Sequence, residues 1–341
     1  MKVSYPAKII LFGEHTIVYK DSIACLSAVD LFTTADYEKS SDNHYTIVFN
    51  SKTFNVATTF TAKEATNIYN KCQSLHQVFL QSGDISELKN LIKGKGNFFK
   101  LIIGFLLTKY SKIAPINIKI HTKAPLGSGM GTSASIAAVV IKSVLDFNAL
   151  PYTNETLLTL TKDMEDMQHG RASGADPAAV IYGGLIKFEH LIDDRRVITS
   201  ITKNNEWSKD LYLILSGNPS ESTGEMVSKV REYGNKNSKE FKLVLKQINQ
   251  IVNDFILSDK PDMPDLINSN GILLEQLGVV SDKCKAYSKE VRKAGGAVKI
   301  AGAGGVSSGS GICLVYLQDL TLLHKLLDKY SYTLIPAHFI T

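Results

Sequence analysis

The sequence predicts an α+β protein with two lobes. Residues 116–120 alternate between apolar and polar side chains, as a half-buried strand does. Residues 132–147 are apolar on nearly every side, which is typical of a buried helix. Strand-like segments occur in both halves of the chain and are interleaved with groups of helices, and this order favours an α+β fold with two lobes.

The N-terminal half mixes strands and helices. Its predicted strands share β-branched and aromatic residues and lie within residues 7–12, 22–37, 45–49 with 53–56 as a hairpin, and 116–120. Its predicted helices share apolar residues at helical spacing and lie at 63–81, 97–109, 132–147 and 154–169. Thr153 or Asn154 is the expected N-cap of the last helix, because its side chain can accept from the first turn.

The C-terminal half begins with strand-like segments at residues 185–188 and 211–215 and is then mostly helical from 223 to about 293. A strand, a glycine-rich loop and a second strand follow within 297–316, and a helix is expected near 320–329. The polar segment 193–205 carries mixed charges and is the expected boundary. We therefore expect one domain at residues 1–195 and another at 196–341.

The composition excludes several functional classes. The chain has 341 residues, with 38 Lys and Arg against 33 Asp and Glu and a formal net charge of +5. The basic residues are scattered among acidic ones and are not interleaved with aromatic residues, so nucleic-acid binding is not expected. The excess charge is compatible with an anionic small-molecule substrate.

Cysteine usage and hydropathy predict the compartment. The four cysteines are far apart and form no C-x-x-C pair, so neither a disulfide framework nor a Cys-rich zinc site is expected. The N-terminal residues contain no signal-like apolar region. The apolar stretch at 101–107 is much shorter than the roughly 20 residues of a membrane span. We therefore expect a cytoplasmic protein without a membrane partner.

A glycine-rich segment directly precedes the helix predicted at 132–147. Its glycines occupy alternate positions, 127, 129 and 131, and allow successive backbone N–H groups to converge on an anion. The first turn of the helix adds unpaired N–H groups and positive dipole character. Its hydroxyl side chains, which could reach phosphate oxygens or Mg²⁺, belong to Thr132, Ser133 and Ser135. No Lys follows the glycines, so the segment is neither a P-loop nor a Rossmann motif.

The apolar strand near the N-terminus contains a lysine. An isolated ammonium is costly to bury, so we expect Lys8 to have a carboxylate partner, unless it lies on an exposed edge strand. Glu14 and His15 follow at the end of this strand. Residues 299–311 hold five glycines between two predicted strands, which requires unusual dihedral angles or a close backbone approach, or else a flexible hairpin.

Carboxylates cluster between residues 165 and 176. Glu165 and His169 are four residues apart and share one face of a predicted helix. No further protein ligand follows at a spacing typical of zinc, whereas one carboxylate combined with phosphate oxygens suits Mg²⁺. Asp176 is expected in the loop that follows.

Together, the segments at residues 6–19, 125–135 and 300–311 resemble the three motifs of the GHMP kinases and occur in the order typical of that family. Residues 13–19 are similar to the form of the first motif found in mevalonate kinases, and residues 165–176 and 222–225 are also similar to segments of that branch. The resemblance implies the two-lobed GHMP kinase fold, with an N-terminal lobe like ribosomal protein S5 and a ferredoxin-like C-terminal lobe.

The resemblance also implies roles for individual residues. It implies a kinase of isoprenoid precursor synthesis that moves the γ-phosphoryl group of ATP to the 5-hydroxyl of mevalonate. Asp176 matches the catalytic Asp and Lys8 its Lys partner near the acceptor hydroxyl, while Glu165 and Ser133 match the Mg²⁺ ligands. The residues expected to wrap the ATP phosphates are Pro125, Leu126, Gly127, Ser128, Gly129, Met130, Gly131, Thr132, Ser133 and Ser135. Those expected to contact the acceptor are Glu14, His15, Thr223 and Gly304.

Some residues depart from the family pattern. Thr132 replaces the usual first Ser of the glycine motif, Pro177 stands where Asn is common, and residues 306–308 interrupt the expected glycine run. Residues 218–220 lack the Arg and Lys of eukaryotic-type enzymes. A phosphomevalonate or sugar kinase, an ATP-dependent decarboxylase of the mevalonate branch, and an inactive ligand-sensing relative therefore stay open as alternatives. A homodimer is a further implication of the resemblance.

Overall fold

The structure is a computed structural model, and it describes residues 1–110 and 112–340. Contact density divides the chain into two compact units that interleave along the sequence. Unit 1 comprises Met1–Ala7, Leu31–Leu126 and Gly131–Tyr182. Unit 2 comprises Lys8–Asp30, Gly127–Met130 and Gly183–Thr341. The domain boundary predicted between residues 195 and 196 stays a prediction. It divides the sequence into two consecutive domains, whereas the two compact units are defined by contacts and are not continuous in sequence.

Strands and helices alternate along the chain, which confirms the α+β class. The strands are β1 (Lys2–Phe12), β2 (Ser22–Lys39), β3 (Tyr45–Asn50), β4 (Asn55–Phe60), β5 (Ile116–Thr122), β6 (Leu185–His190), β7 (Arg196–Ile201), β8 (Leu211–Leu215), β9 (Ala297–Ile300), β10 (Ile312–Tyr316), β11 (Thr333–Ile335) and β12 (Phe339–Ile340).

The helices agree closely with the apolar periodicity of the sequence. They are α1 (Ala62–Ser82), α2 (Ser86–Lys93), α3 (Asn97–Lys109), α4 (Thr132–Phe147), α5 (Asn154–His169), α6 (Ala175–Tyr182), α7 (Thr223–Lys236), α8 (Ser238–Leu257), α9 (Met263–Gln276), α10 (Asp282–Lys293) and α11 (Leu320–Tyr330). None of the helices in the described part of the chain combines the length and the hydropathy that a membrane crossing requires.

Unit 1 packs helices on a mixed sheet. In it, β3 pairs with β4 antiparallel and with β5 parallel, and β5 pairs antiparallel with residues 33–39 of β2. The inward faces of these strands and α1 to α6 form one apolar core, in which α4 is buried along most of its length. Gly104 of α3 lies against the backbone of α1, where a Cβ would overlap the carbonyl oxygen of Ala65.

Unit 2 contains two sets of antiparallel strands. Residues 22–27 of β2 pair with β6, β6 pairs with β7, and β12 pairs with β2. A second, four-stranded sheet has the order β11-β8-β10-β9. The polar segment predicted as a domain boundary contains β7, because its β-branched residues at 197, 198 and 199 extend the β6 hairpin.

Helix starts follow the side-chain chemistry of the sequence. Thr153 caps α5, as expected, and accepts a hydrogen bond from Thr156 N at 3.2 Å. Thr61 and Glu64 form a capping box on α1, and Ser222 with Glu225 does the same on α7. Sequence periodicity alone did not predict α2, which has only eight residues.

Candidate active site

The 127–131 segment connects β5 to α4 through three glycines with positive φ. Gly127 and Gly129 have φ of 71° and 85°, values that side chains with a Cβ rarely adopt. A Cβ at Gly127 would have no described atom within 4 Å, and one at Gly129 would only approach the Cα of Gly302, at 4.0 Å. No described protein atom therefore fills the space beside Gly127, and the space beside Gly129 is bounded only by Gly302. Gly131, the N-cap of α4, has no side chain with which to cap the first-turn N–H groups.

Within unit 2, two backbone hydrogen bonds and one side-chain hydrogen bond join the first motif, part of the glycine segment and the third motif. Lys8 N donates to Met130 O at 3.0 Å, and Ile312 N donates to Ser128 O at 3.3 Å. The Nε2–H of His15 donates to Ala303 O at 2.9 Å. Three segments that are separated by more than a hundred residues each are therefore brought together, as the resemblance requires.

The first motif is buried. Lys8 is 2 % exposed in β1, so the alternative of a solvent-facing edge lysine is wrong. Glu14 is fully buried, and burial raises the pKa of its carboxyl group, whereas the positive charges of Lys299 and Lys8 oppose this rise. The expected carboxylate partner of Lys8 stays a prediction.

His15 is nearly buried and has a left-handed backbone, with φ of 63°. Burial lowers the pKa of its imidazole to about 4, against the smaller opposing effect of the bond to Ala303 O. The ring is therefore neutral at pH 7, with its proton on Nε2, because a carbonyl oxygen can only accept. Within the described residues, Nδ1 has no hydrogen-bond partner, so it can accept one from a ligand.

The sequence interpretation missed Lys299. Its ammonium is fully buried in β9 and forms an ion pair with Oε1 of Glu14. The signal that could have found it is the one used for Lys8, a lysine inside an apolar strand beside a glycine-rich segment. Glu14 consequently faces the interior of unit 2, and its predicted contact with the acceptor stays a prediction.

The third motif is hydrogen-bonded to the segment that precedes α7. Ser307, one of the residues that interrupt the glycine run, donates from its backbone N to Oε1 of Glu221 at 3.0 Å and also from its hydroxyl. Ser308 donates to Asn218 O at 3.0 Å. The departure from the family pattern at 306–308 therefore supplies bonds within unit 2. Thr223 is exposed at the first position of α7.

Unit 1 holds the remaining predicted hydroxyl groups. Thr132 Oγ1 donates to Pro125 O at 3.2 Å, which closes the turn that leads into α4. Ser133 is half-buried in the first turn of α4. Ser135 is fully buried, and its hydroxyl lies 2.8 Å from Thr33 Oγ1 and donates to Thr132 O, so the structure does not support its reach to a phosphate.

Unit 1 also holds the predicted carboxylates. Glu165 is buried on α5, and its Oε2 lies 3.5 Å from Nε2 of His169. The expectation of a loop at Asp176 is wrong, because the residue is in the first turn of α6. Pro177 is compatible with that helix start, since first-turn N–H groups have no intrahelical acceptor, and an acidic residue there is stabilised by the helix dipole.

Two oxygen groups of unit 1, the carboxylate of Glu165 and the hydroxyl of Ser133, are candidate ligands for Mg²⁺. Among the described residues, no group of three or more His, Cys, Asp or Glu side chains is placed to hold a metal ion. Mg²⁺ uses one or two protein oxygen ligands and completes its shell with phosphate oxygens and water. The carboxylate of Glu165 and the hydroxyl of Ser133 are such hard oxygen ligands, so their chemistry fits this ion.

Comparisons with known proteins agree with these motifs. Residues 97–184 match the model of the GHMP kinases N terminal domain. The mevalonate kinase of Pyrococcus furiosus is 29% identical to this chain over 317 residues, which cover 89% of this chain and 87% of that protein.

Solved structures with the same fold include a mevalonate kinase and a phosphomevalonate kinase. The crystal structure of the Methanococcus jannaschii mevalonate kinase superposes with a TM-score of 0.75 at 21% identity and covers 100% of this chain and 98% of that chain. The Streptococcus pneumoniae phosphomevalonate kinase in complex with phosphomevalonate and AMPPNP superposes with a TM-score of 0.69 at 17% identity and covers both chains completely. At these identities the likeness establishes the fold.

Proposed function

Because this chain belongs to the GHMP kinase superfamily, we propose that it transfers the γ-phosphoryl group of ATP to the 5-hydroxyl of mevalonate. The observation that carries the proposal is the joining of the three motif segments in unit 2 through Lys8, Ser128 and Ala303. The similarity to mevalonate kinases over most of both chains supports mevalonate as the acceptor.

Phosphoryl transfer needs positioning and charge stabilisation more than covalent chemistry. The 127–131 segment supplies backbone N–H groups and the start of α4, which suit the phosphates of ATP. Thr132 donates to Pro125 O and so closes the turn that leads into the helix, and Leu126 lies within that turn.

Asp176 is proposed as the group that orients the acceptor hydroxyl and accepts its proton. Its carboxylate is half-buried in the first turn of α6, and a carboxylate oxygen can accept the proton of an alcohol that is bound within hydrogen-bond distance. Lys8 is proposed to place a positive charge against the oxygen that attacks and the oxygens of the transferred group.

Glu165 and Ser133 are proposed to hold Mg²⁺. When bound, this ion neutralises charge on the β- and γ-phosphates. His15 is proposed to accept a hydrogen bond from the acceptor at its buried Nδ1, and Thr223 to offer a hydroxyl from the exposed first turn of α7. Gly304 is proposed to bring its backbone close to the acceptor.

The assembly and the location are also proposals. We infer a homodimer and a cytoplasmic location from the resemblance to mevalonate kinases. Light scattering of the purified chain at several concentrations tests the first, and a mass that stays at one chain, 37.4 kDa, over all of them would contradict it.

The acceptor is tested by measuring ADP release with Mg–ATP and a panel of alcohols. Mevalonate is expected to give the highest kcat/KM, with a phosphorylated product identified by mass spectrometry. The panel includes phosphomevalonate, galactose and homoserine, and mevalonate diphosphate with a measurement of released CO₂. A preferred acceptor other than mevalonate would move the proposal to another kinase of the family, and release of CO₂ would favour the decarboxylase. No turnover with any acceptor would favour a ligand-sensing protein.

A further inference from the structure

Lys299 lies inside β9, and its side chain has no solvent exposure. Its Nζ donates to Oε1 of Glu14, to Ile300 O at 2.8 Å and to Ile10 O at 3.4 Å. It also lies 5.6 Å from the centre of the Phe12 ring. The number of acceptors equals the three N–H donors of an ammonium group, so each donor has an acceptor within the protein.

The stability of the fold does not by itself explain such a pair. Removing two charges from water costs about as much free energy as their mutual attraction returns, and neutral residues of similar size often stabilise a fold equally well. The best-attested use of a buried polar group is to hold two segments in a single register. The Lys299–Glu14 pair can therefore serve to align the two segments that contain its members.

The two partners stand beside candidate site residues. Glu14 directly precedes His15, and Lys299 lies three residues before the first glycine of the 302–311 loop. The bond from His15 Nε2 to Ala303 O, at 2.9 Å, is a second link between the same two segments. Two links at different points along both segments determine the orientation of the loop as well as its position, which one link alone does not.

We infer that the Lys299–Glu14 ion pair is a positioning pair, which holds His15 and the start of the 302–311 loop in the geometry that phosphoryl transfer requires. This inference rests on the proposed kinase function. Glu14 then acts through Lys299 and does not touch the acceptor, in contrast to the role that the resemblance implies.

The test replaces both charges with neutral groups of similar size, in the double variant Glu14→Gln with Lys299→Met. The single variant Lys299→Met leaves the carboxylate of Glu14 buried without its ammonium and is not expected to fold well, whereas the double variant removes both charges together. We expect the double variant to melt near the wild-type temperature and to bind an ATP analogue with near wild-type Kd. Its kcat is expected to fall on the order of 10²-fold, because a displacement of about 1 Å at a reacting group has that effect.

A second measurement does not depend on turnover. His15 is neutral because it is buried, with a pKa of about 4. If the pair holds it in place, the double variant releases the ring toward solvent, and its pKa rises toward the ordinary value of 6.5. Nitrogen-detected NMR of the imidazole over pH 4 to 8 measures this change in the intact chain.

The matched control is the exposed ion pair Lys329 with Glu290, changed to Met and Gln in the same way. It should leave kcat and the His15 titration unaltered. A double variant with wild-type kcat, one with an unshifted His15 titration, or one that does not fold would each overturn the positioning role. If mevalonate is not the acceptor, the His15 titration still tests the pair, so the two proposals fail separately.

Discussion

The 127–131 segment and the 302–311 loop are both rich in glycine, but their glycines serve different purposes. At Gly129 the positive φ of 85° requires glycine, while the space beside it is open apart from Gly302 at 4.0 Å. At Gly304 a Cβ would overlap the carbonyl oxygen of Val279, and at Gly309 it would overlap that of Gly217. The space beside Gly129 can admit a ligand, whereas the space beside Gly304 and Gly309 is filled by protein.

This difference shows that glycine content alone does not identify a phosphate-binding loop. A glycine in open space can be replaced by alanine with only the strain of its positive φ, but the added methyl group hinders the approach of a ligand. A glycine selected for close packing loses stability when a methyl group is added. Substitutions in the two segments should therefore change different measured quantities.

Asp176→Asn is expected to have the largest effect on turnover and is the reference for the glycine variants. It removes the group proposed to accept the proton and leaves both glycine segments intact. We expect kcat to fall on the order of 10³-fold, about 4 kcal/mol of activation barrier, with nucleotide affinity and melting temperature close to wild type. ADP release and calorimetric titration measure these quantities. Asp36→Asn, an exposed position on β2, is the control and should keep full activity. Near-normal turnover by Asp176→Asn would remove this residue from the mechanism.

Gly304→Ala tests the packed loop. We expect the free energy of unfolding to fall by about 3 to 4 kcal/mol, because the methyl group overlaps a carbonyl oxygen and φ is 76°. Urea denaturation measures it. Gly295→Ala is the matched control, since its φ is 79° and no described atom lies within 4 Å of the added Cβ, so it should lose only about 1 to 2 kcal/mol. Equal losses in the two variants would contradict the role of packing.

The free energy of unfolding should also fall in acid, because the imidazole of His15, which contacts the 302–311 loop, is buried in its neutral form. Its pKa is about 4 in the folded chain and 6.5 in its ordinary state, so the unfolded chain binds the proton first as the pH falls. Stability contributed by the neutral ring is complete above about pH 6.5 and is lost as the pH falls toward 4, by about 2 to 3 kcal/mol.

Urea denaturation between pH 4 and 7 measures this loss. In His15→Gln, the part of the fall in unfolding free energy that is due to this residue should disappear. His324→Gln changes an exposed position and should show the wild-type dependence of unfolding free energy on pH. An unchanged pH dependence in His15→Gln would show that other groups cause the acid sensitivity.

Gly129→Ala tests the open segment and has the smallest expected effect. Strain at positive φ should cost about 1 to 2 kcal/mol of stability, while loss of backbone approach should raise the Kd of an ATP analogue about tenfold, or about 1.4 kcal/mol. Gly83→Ala is the control, with φ of 79° and no described atom within 4 Å, and should lose similar stability without a change in nucleotide affinity. If Gly129→Ala binds the analogue as tightly as wild type, the 127–131 segment is not where the phosphates lie.

Long, strongly periodic segments could be predicted from sequence, and short ones could not. The helices at 97–109 and 132–147 have the bounds that the apolar spacing indicates. Apolar spacing does not indicate the eight-residue helix α2, and the glycine and proline residues around Asp176 predict a loop where the structure has α6. A helix of two turns contains too few apolar positions for its period to stand out from local composition.

The sequence by itself determined the α+β class, the resemblance to a kinase family and the order of the three motifs that carry it, because these depend on residue types at short spacing. Only the tertiary structure decided which glycines face open space and which face a carbonyl oxygen, and that Glu14 pairs with Lys299. These two residues are 285 positions apart, and no local pattern records which buried ammonium a buried carboxylate meets. Contacts of this kind depend on how strands pack, and packing is a property of the folded chain as a whole.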